Sequence, residues 1–179
     1  MVRPCVGGIC TSRGKGRRGG GRARDEEHGK GAFVLAGQKD TGGVKDITIN
    51  EVDIDNFIRA KGAIFSATQT MLQSLGFDAS VIERVYVAGG IGSGINMKNA
   101  VTIGMFPDIP LENFHYIGNS SQAGAYAMLL SSQAREKVFE LGRSMTYLEL
   151  SNEPGYMDAF VAACFLPHPD SSLFPSVAL

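Results

Sequence analysis

The chain has 179 residues, 44% of them hydrophobic, and a formal net charge of −1, enough to build one respectable core and no more. The near-neutral total hides an asymmetry: residues 1–30 hold eight of the 17 Lys and Arg against three acids, a net of +5, whereas residues 31–179 carry −6. Three cysteines do not make a disulfide framework, no apolar run approaches a membrane span, and the basic N-terminus lacks the apolar segment of a secretory signal, so the cytoplasm is the expected location.

Residues 1–30 contain eight glycines and six arginines with few apolar side chains. Such a composition cannot offset the entropy of ordering the backbone, and a disordered basic Gly/Arg-rich tail is expected there. The run from Arg13 to Arg24 could meet phosphates, but it has no interleaved aromatic residues for stacking on bases, so nucleic acid is not an expected partner. Cys5 and Cys10 have the Cys-x4-Cys spacing that begins a plant-type iron–sulfur loop, yet Arg13 stands where the next cysteine belongs.

From Gly31 the periodicities are legible. Ala32 to Ala36 and Asp46 to Ile49 predict short strands around the turn-like Lys39-Asp40-Thr41-Gly42-Gly43. Ile54, Phe57, Ile58, Ile64, Phe65, Thr68, Met71, Leu72 and Leu75 recur at spacings of three and four, predicting a long amphipathic helix that Gly76 stops. Asp53 and Asp55 fall at its start, where acids favour the helix dipole without any catalytic role.

A short helical turn at Ser80 to Arg84 leads into the most informative stretch, Arg84 to Gly94. Val85, Tyr86, Val87 and Ala88 predict a short strand covered on both faces, and Gly89, Gly90, Gly92 and Gly94 then remove every Cβ that would keep a ligand from the backbone amides. Asn96 can cap a following helix, Met97 to Gly104. The turn is neither a dinucleotide-binding fingerprint, since residue 95 is Ile, nor a P-loop, since no Gly-Lys-Ser/Thr follows. A helix N-terminus contributes about 0.3–1 kcal/mol to holding an anion, up to ~2 when partly buried. Micromolar affinity needs about 8 kcal/mol, so this turn alone cannot hold a nucleotide tightly, and the remaining contacts are expected from elsewhere.

A Pro-containing connection, Pro107 to Pro110, precedes a second strand at Phe114 to Ile117, which ends in Gly118-Asn119-Ser120-Ser121 and opens a helix running to about Arg143. Ala123, Gly124 and Ala127 give that helix a small-residue face against which something is expected to pack closely. Tyr147 to Leu150 predict a strand, Pro154 a first helical residue, and Met157 to Phe165 a buried helix. Two consecutive strand–glycine turn–helix units place both turns on one edge of a sheet, where ligands of α/β proteins bind. His115, His168 and Cys164 lack partners at metal-ligand or catalytic spacing and are read as structural; no general base is assigned.

Three segments carry a resemblance: Ile54-Asp55-Asn56-Phe57-Ile58-Arg59-Ala60-Lys61-Gly62-Ala63-Ile64, Val85-Tyr86-Val87-Ala88-Gly89-Gly90-Ile91-Gly92, and Ile117-Gly118-Asn119-Ser120-Ser121-Gln122-Ala123-Gly124-Ala125. With Met145 to Ser151, Tyr156-Met157-Asp158, Phe165 to His168 and Phe174 to Val177, they resemble the carboxyl-terminal part of the ATP-dependent reductive activators of corrinoid proteins, over roughly Gly31 to Val177. The resemblance implies an α/β fold, part of a ribonuclease-H-like lobe of an actin-like ATPase in the superfamily of acetate and sugar kinases, heat-shock chaperones and actin. It implies ATP with magnesium as cofactor, an iron–sulfur cluster in an amino-terminal ferredoxin-like domain, and an inactivated corrinoid protein as the partner that receives an electron.

By the same resemblance Gly89, Gly90, Ile91 and Ser93 would line the adenosine site, and Lys61 resembles the lysine that the chaperone branch uses beside the purine. Residues 31–179 would be the C-terminal ATPase-lobe domain. The ferredoxin domain, the middle domain and the first ATPase lobe have no counterpart in the sequence, so a fragment that does not turn over ATP alone is expected. Val6 to Ser12 resembles a damaged copy of the family's Gly-Ile-Cys-Gly-Ser-Gly turn, and the Arg/Gly excess after it is the composition that an out-of-frame translation or misplaced start leaves; an intact upstream frame with no homologous coding sequence sinks that idea. Two alternatives stand beside this reading. One is a noncatalytic module pairing with the missing activator domains or with a corrinoid protein; the other, disfavoured by the terminal motifs, is a sugar or acid kinase fragment.

Overall fold

The computed structural model describes residues 5–6, 9–10, 23–25, 31–43 and 45–177. Its first strands, β1 (Cys5–Val6) and β2 (Ile9–Cys10), pair antiparallel with each other, and β3 (Ala23–Asp25) pairs antiparallel with β4 (Gly31–Ala36). At those positions the chain is paired strand, where a disordered tail was expected; the rest of that expectation lies outside the described residues.

β4 turns through the short helix α1 (Gln38–Thr41) and Gly42, whose φ of 63° reverses the chain, into β5 (Ile47–Asn50). The two strands run antiparallel, with Phe33 opposite Ile49 and an irregularity between Val34 and Ala36. Asn50 then starts α2 (Glu51–Ser74) with a full capping box: its side chain accepts the Val52 and Asp53 amides, and the Asp53 carboxylate accepts the Asn50 N–H at 2.9 Å.

The long helix is present as predicted, and its expected stripe is turned inward only in part: Phe65 is buried and Ile54, Ile58, Thr68 and Leu72 are half-buried. Lys61, Gly62, Phe65, Ser66 and Thr70 are the buried positions, while Phe57, Ile64, Met71 and Leu75 of the expected apolar stripe are exposed. The reason is the neighbour: α6 (Tyr156–Ala163) packs on α2, and small residues at 62 and 66 let its backbone come close. A Cβ on Gly62 would sit 2.9 Å from the Cys164 sulfur and 3.4 Å from the Ala163 carbonyl. The core continues through Phe65, Ala163 and Phe174, with Leu173 and Val177 against it and the His168 ring 5.6 Å from that of Phe65.

A 3₁₀ turn, Ala79–Val81, leads to β6 (Val85–Val87), a second 3₁₀ turn at Ile91–Gly94, and α3 (Met97–Thr102). After Leu111–Asn113 comes β7 (Phe114–Tyr116), parallel to β6 with Val85 opposite Phe114 and Val87 opposite Tyr116. The sheet is not covered on both faces as expected: Tyr86 and Tyr116 are 58% and 48% exposed, and no further strand flanks the pair among the described residues.

The predicted helix to Arg143 is two helices, α4 (Ser120–Leu130) and α5 (Ser132–Ser144), divided by Ser131. Ser131 takes extended backbone, and its hydroxyl caps α5 by accepting the Ala134 N–H at 3.2 Å. Neither helix buries a residue, and among the described residues nothing lies within 4 Å of a Cβ built on Gly124, where close packing was expected. Tyr147 to Leu150 is not a strand: it is irregular and enters a 3₁₀ turn at Leu150–Asn152, and it pairs with no strand among the described residues. Pro154 lies in the turn before α6, whose N-terminal boundary is Gly155 at φ 80°. The fold class is the α/β class expected, with short strands and flanking helices.

Candidate functional site

The two glycine turns lie side by side because β6 and β7 are parallel. The Gly89 N–H donates to the Gly118 carbonyl at 2.8 Å, joining one turn to the other, and the Tyr116 hydroxyl donates to the Gly89 carbonyl at 3.1 Å. Gly89 and Gly118 have φ of 90° and 70°, a region where a side chain is strained, so both are glycine for conformation.

The remaining glycines separate by what surrounds them. Gly92 is buried, and a Cβ there would meet the Val87 side chain at 2.8 Å and the Tyr116 ring at 3.0 Å, so it is glycine for packing. Gly90 and Gly94 are exposed with nothing within 4 Å, and Gly90 has an ordinary φ of −62°. Ile91 stands beside Gly90 in the 3₁₀ turn. Ser93 folds its hydroxyl back onto the Gly90 carbonyl at 2.7 Å, which fixes the turn and leaves Gly90 as open backbone facing solvent.

The helices that follow are capped by asparagine: the Asn96 side chain accepts the Asn99 N–H at 3.0 Å, and Asn119 accepts the Gln122 N–H at 3.0 Å. With only six residues, α3 adds little dipole to the turn. The geometry therefore offers open backbone at Gly90 and Gly94 beside the two linked turns. Among the described residues no three His, Cys, Asp or Glu come together, so no ligand set for magnesium or a cluster is assigned here.

Lys61 is built for another task. Its side chain is fully buried, and its Nζ donates to the carbonyls of Ala163, Phe165 and Pro167 at 2.5, 2.5 and 2.7 Å. An ammonium has three N–H groups, so none remains for a purine. Burial lowers its pKa to about 8, partly offset by Cys164, and it therefore stays protonated at neutral pH. Nothing in the local pattern around Lys61 signals this, because its partners lie more than a hundred residues away; Asp108, which accepts the Ser176 N–H and hydroxyl at 2.7 and 2.6 Å, escaped the sequence reading for the same reason.

His168 is structural, packed against Phe65 and Phe174. Burial first, and then the Lys61 charge, lower its pKa, while Asp170 pulls the other way. Its Nδ1 accepts the Asp170 N–H at 3.1 Å, which only the unprotonated nitrogen can do. A cavity of about 110 Å³ lies between α2 and the terminal segment, lined by Phe65, Gln69, Leu72, Phe77, Pro107 and Leu173 among others; none of the glycine-turn residues borders it.

The family described as the C-terminal ASKHA domain of RACo matches residues 4–178. A solved structure, a reductive activator for corrinoid, iron-sulfur protein, is 51% identical and superposes with a TM-score of 0.82 over 87% of this chain and 25% of its own. Among curated proteins, the corrinoid activation enzyme RamQ of Eubacterium limosum is 30% identical over 129 residues, 72% of this chain and 21% of the relative. The Co(II) methylated amine-specific corrinoid protein reductase of Methanosarcina barkeri is 27% identical over 100 residues, 56% of this chain and 18% of the relative. The chain thus spans about a fifth to a quarter of the length of these proteins. No helix among the described residues is long and apolar enough to cross a membrane. With its parallel strand pair, flanking helices and a match along nearly its whole length, the chain belongs to the family of RACo C-terminal ASKHA domains, part of an actin-like ATPase fold in the reductive activators of corrinoid proteins.

Proposed function

We propose that this chain supplies the adenosine side of the nucleotide cleft of an ATP-dependent reductive activator of corrinoid proteins. The observation that carries the reading is the pair of linked glycine turns at one edge of a parallel sheet, with open space above Gly90 and Gly94. Gly89, Gly90, Ile91 and Ser93 form the floor under the nucleoside, where the absence of a Cβ at 90 lets a flat ring approach the backbone. Lys61 is left out of the floor, because its N–H groups are all engaged by carbonyls.

Magnesium, the phosphates and the iron–sulfur cluster belong, on this reading, to the portion of an activator beyond the length matched here. ATP supplies the free energy of the uphill electron transfer in such a protein; the residues of this chain orient the nucleoside and carry no proton or electron. The chain alone binds adenine nucleotide weakly and does not turn it over. Titration calorimetry of the full chain with ATP tests this: weak heat that Gly90→Val abolishes without lowering the melting temperature supports the floor, and no heat from a folded chain overturns it.

A second reading has its own observation. Helix α4 buries nothing, and Tyr126, Leu129 and Leu130 are 64%, 78% and 70% exposed, an apolar surface of the kind that marks an interface. On this reading the chain is a noncatalytic module that docks the remaining domains of an activator, or the corrinoid protein itself, through α4. It predicts no nucleotide heat until a protein partner is added.

A further inference from the structure

The carbonyls of Ala163, Phe165 and Pro167 alternate along the chain and converge on one nitrogen. The first is at the end of α6 and the second just beyond its C-terminal boundary at Cys164, a helix end whose last carbonyls lack intrahelical partners and favour a positive charge. Carbonyl oxygens arranged around a point replace the hydration shell of a bare monovalent cation. Here the cation is covalently supplied by α2.

Pro167 has a second role: it is the wall beneath Gly104. A Cβ on Gly104 would collide with the Pro167 carbonyl, lying 2.9 Å from its carbon, so the end of α3 rests directly on the backbone that Lys61 holds. Gly104 also has φ 74°, and its N–H and those of Ile103 and Met105 close the end of α3 on Val101, Asn99 and Ala100. Six residues of helix span about 9 Å, so whatever fixes one end of α3 fixes the other. Its other end is Asn96, two residues beyond the glycine turn.

We propose that Lys61 is a positioning residue for the glycine turn: its ammonium acts as a built-in monovalent cation that locks the segment from Ala163 to Pro167, and through Pro167 and Gly104 it sets the place of α3. The bearing on nucleotide affinity rests on the turn being an adenosine floor. The mechanical linkage does not.

Amide hydrogen exchange on the full chain tests the linkage without any nucleotide. In Lys61→Met, the amides of Ile103, Gly104 and Met105 exchange about tenfold faster or more, while those of α5 stay within about twofold of the wild type. Unchanged protection at residues 103–105 overturns the proposal, even if residues 163–167 loosen. Should Lys61→Met lose protection everywhere, Lys61→Ala is measured with propylammonium or tetramethylammonium added. Recovery at residues 103–105 with propylammonium alone supports the proposal, since only that ion carries N–H donors; no recovery, or equal recovery with both ions, overturns it. ATP titrated into the wild-type chain reports separately on the floor, so the two readings fail independently.

Discussion

The Nζ of Lys61 donates a 2.7 Å hydrogen bond to the carbonyl of Pro167, 106 residues further along the chain. That contact ties the middle of the longest helix to the terminal segment, beside the Phe65–Phe174 core. The face of α2 that carries it joins Lys61, Gly62 and Ser66 to Phe65, and the polar part is buried because α6 and the segment after it supply carbonyls and a close backbone.

The glycines at 62 and 124 should respond oppositely to alanine. Both are in helices, where alanine is intrinsically better by about 1 kcal/mol. At 124 nothing is within 4 Å, and Gly124→Ala is expected to stabilise the chain. At 62 the new Cβ meets the Cys164 sulfur at 2.9 Å with the Ala163 backbone behind it, and Gly62→Ala is expected to destabilise by roughly 1–3 kcal/mol. Urea unfolding midpoints decide both signs.

Within the turn, Gly92→Ala and Gly90→Val separate packing from ligand access. The first forces a Cβ against Val87 and Tyr116 and is expected to cost roughly 1–3 kcal/mol of stability. The second enters open space and should leave the melting temperature unchanged while removing nucleotide heat. Equal losses of stability in both variants would contradict the division.

Acid should weaken the fold through His168. Its folded pKa lies below the ordinary 6.5, so below about pH 6.5 the unfolded chain binds more protons. Stability is therefore full above that pH and declines as pH falls towards the lowered folded value, because the unfolded ring takes up a proton that the native ring, half-buried beside Lys61 and accepting the Asp170 N–H at Nδ1, does not. Denaturation midpoints between about pH 7 and 5 should fall more steeply for the wild type than for His168→Phe, which retains a ring against Phe65 and Phe174.

Asp108 latches the end of the chain by accepting two hydrogen bonds from Ser176. Asp108→Ala is expected to cost about 1–2 kcal/mol, and to make the segment after Phe174 the first site of limited proteolysis. Cleavage starting elsewhere at the wild-type rate would show that the latch contributes little.

The boundaries of the elements were legible because their causes are local. Asn96 and Asn119 each stand at the start of a predicted helix and cap it through an amide three residues away, and the glycine turns follow directly from β6 and the strand at Phe114. Ser131 is the exception, since its extended backbone divides an otherwise helical run that periodicity alone continues. The expected strand at Tyr147 failed because a strand needs a ladder partner, which no local pattern provides.

The sequence by itself determined the α/β class, the family resemblance and the adjacency of two strand–glycine turn units, since each follows from neighbours in the chain. Only the tertiary structure decided which glycine does what, Gly92 for packing and Gly90 for open backbone, and that Lys61 binds carbonyls instead of facing a purine. Burial and hydrogen-bond partners are properties of what folds against a residue, and the partners of Lys61 and Gly104 arrive from the far end of the chain.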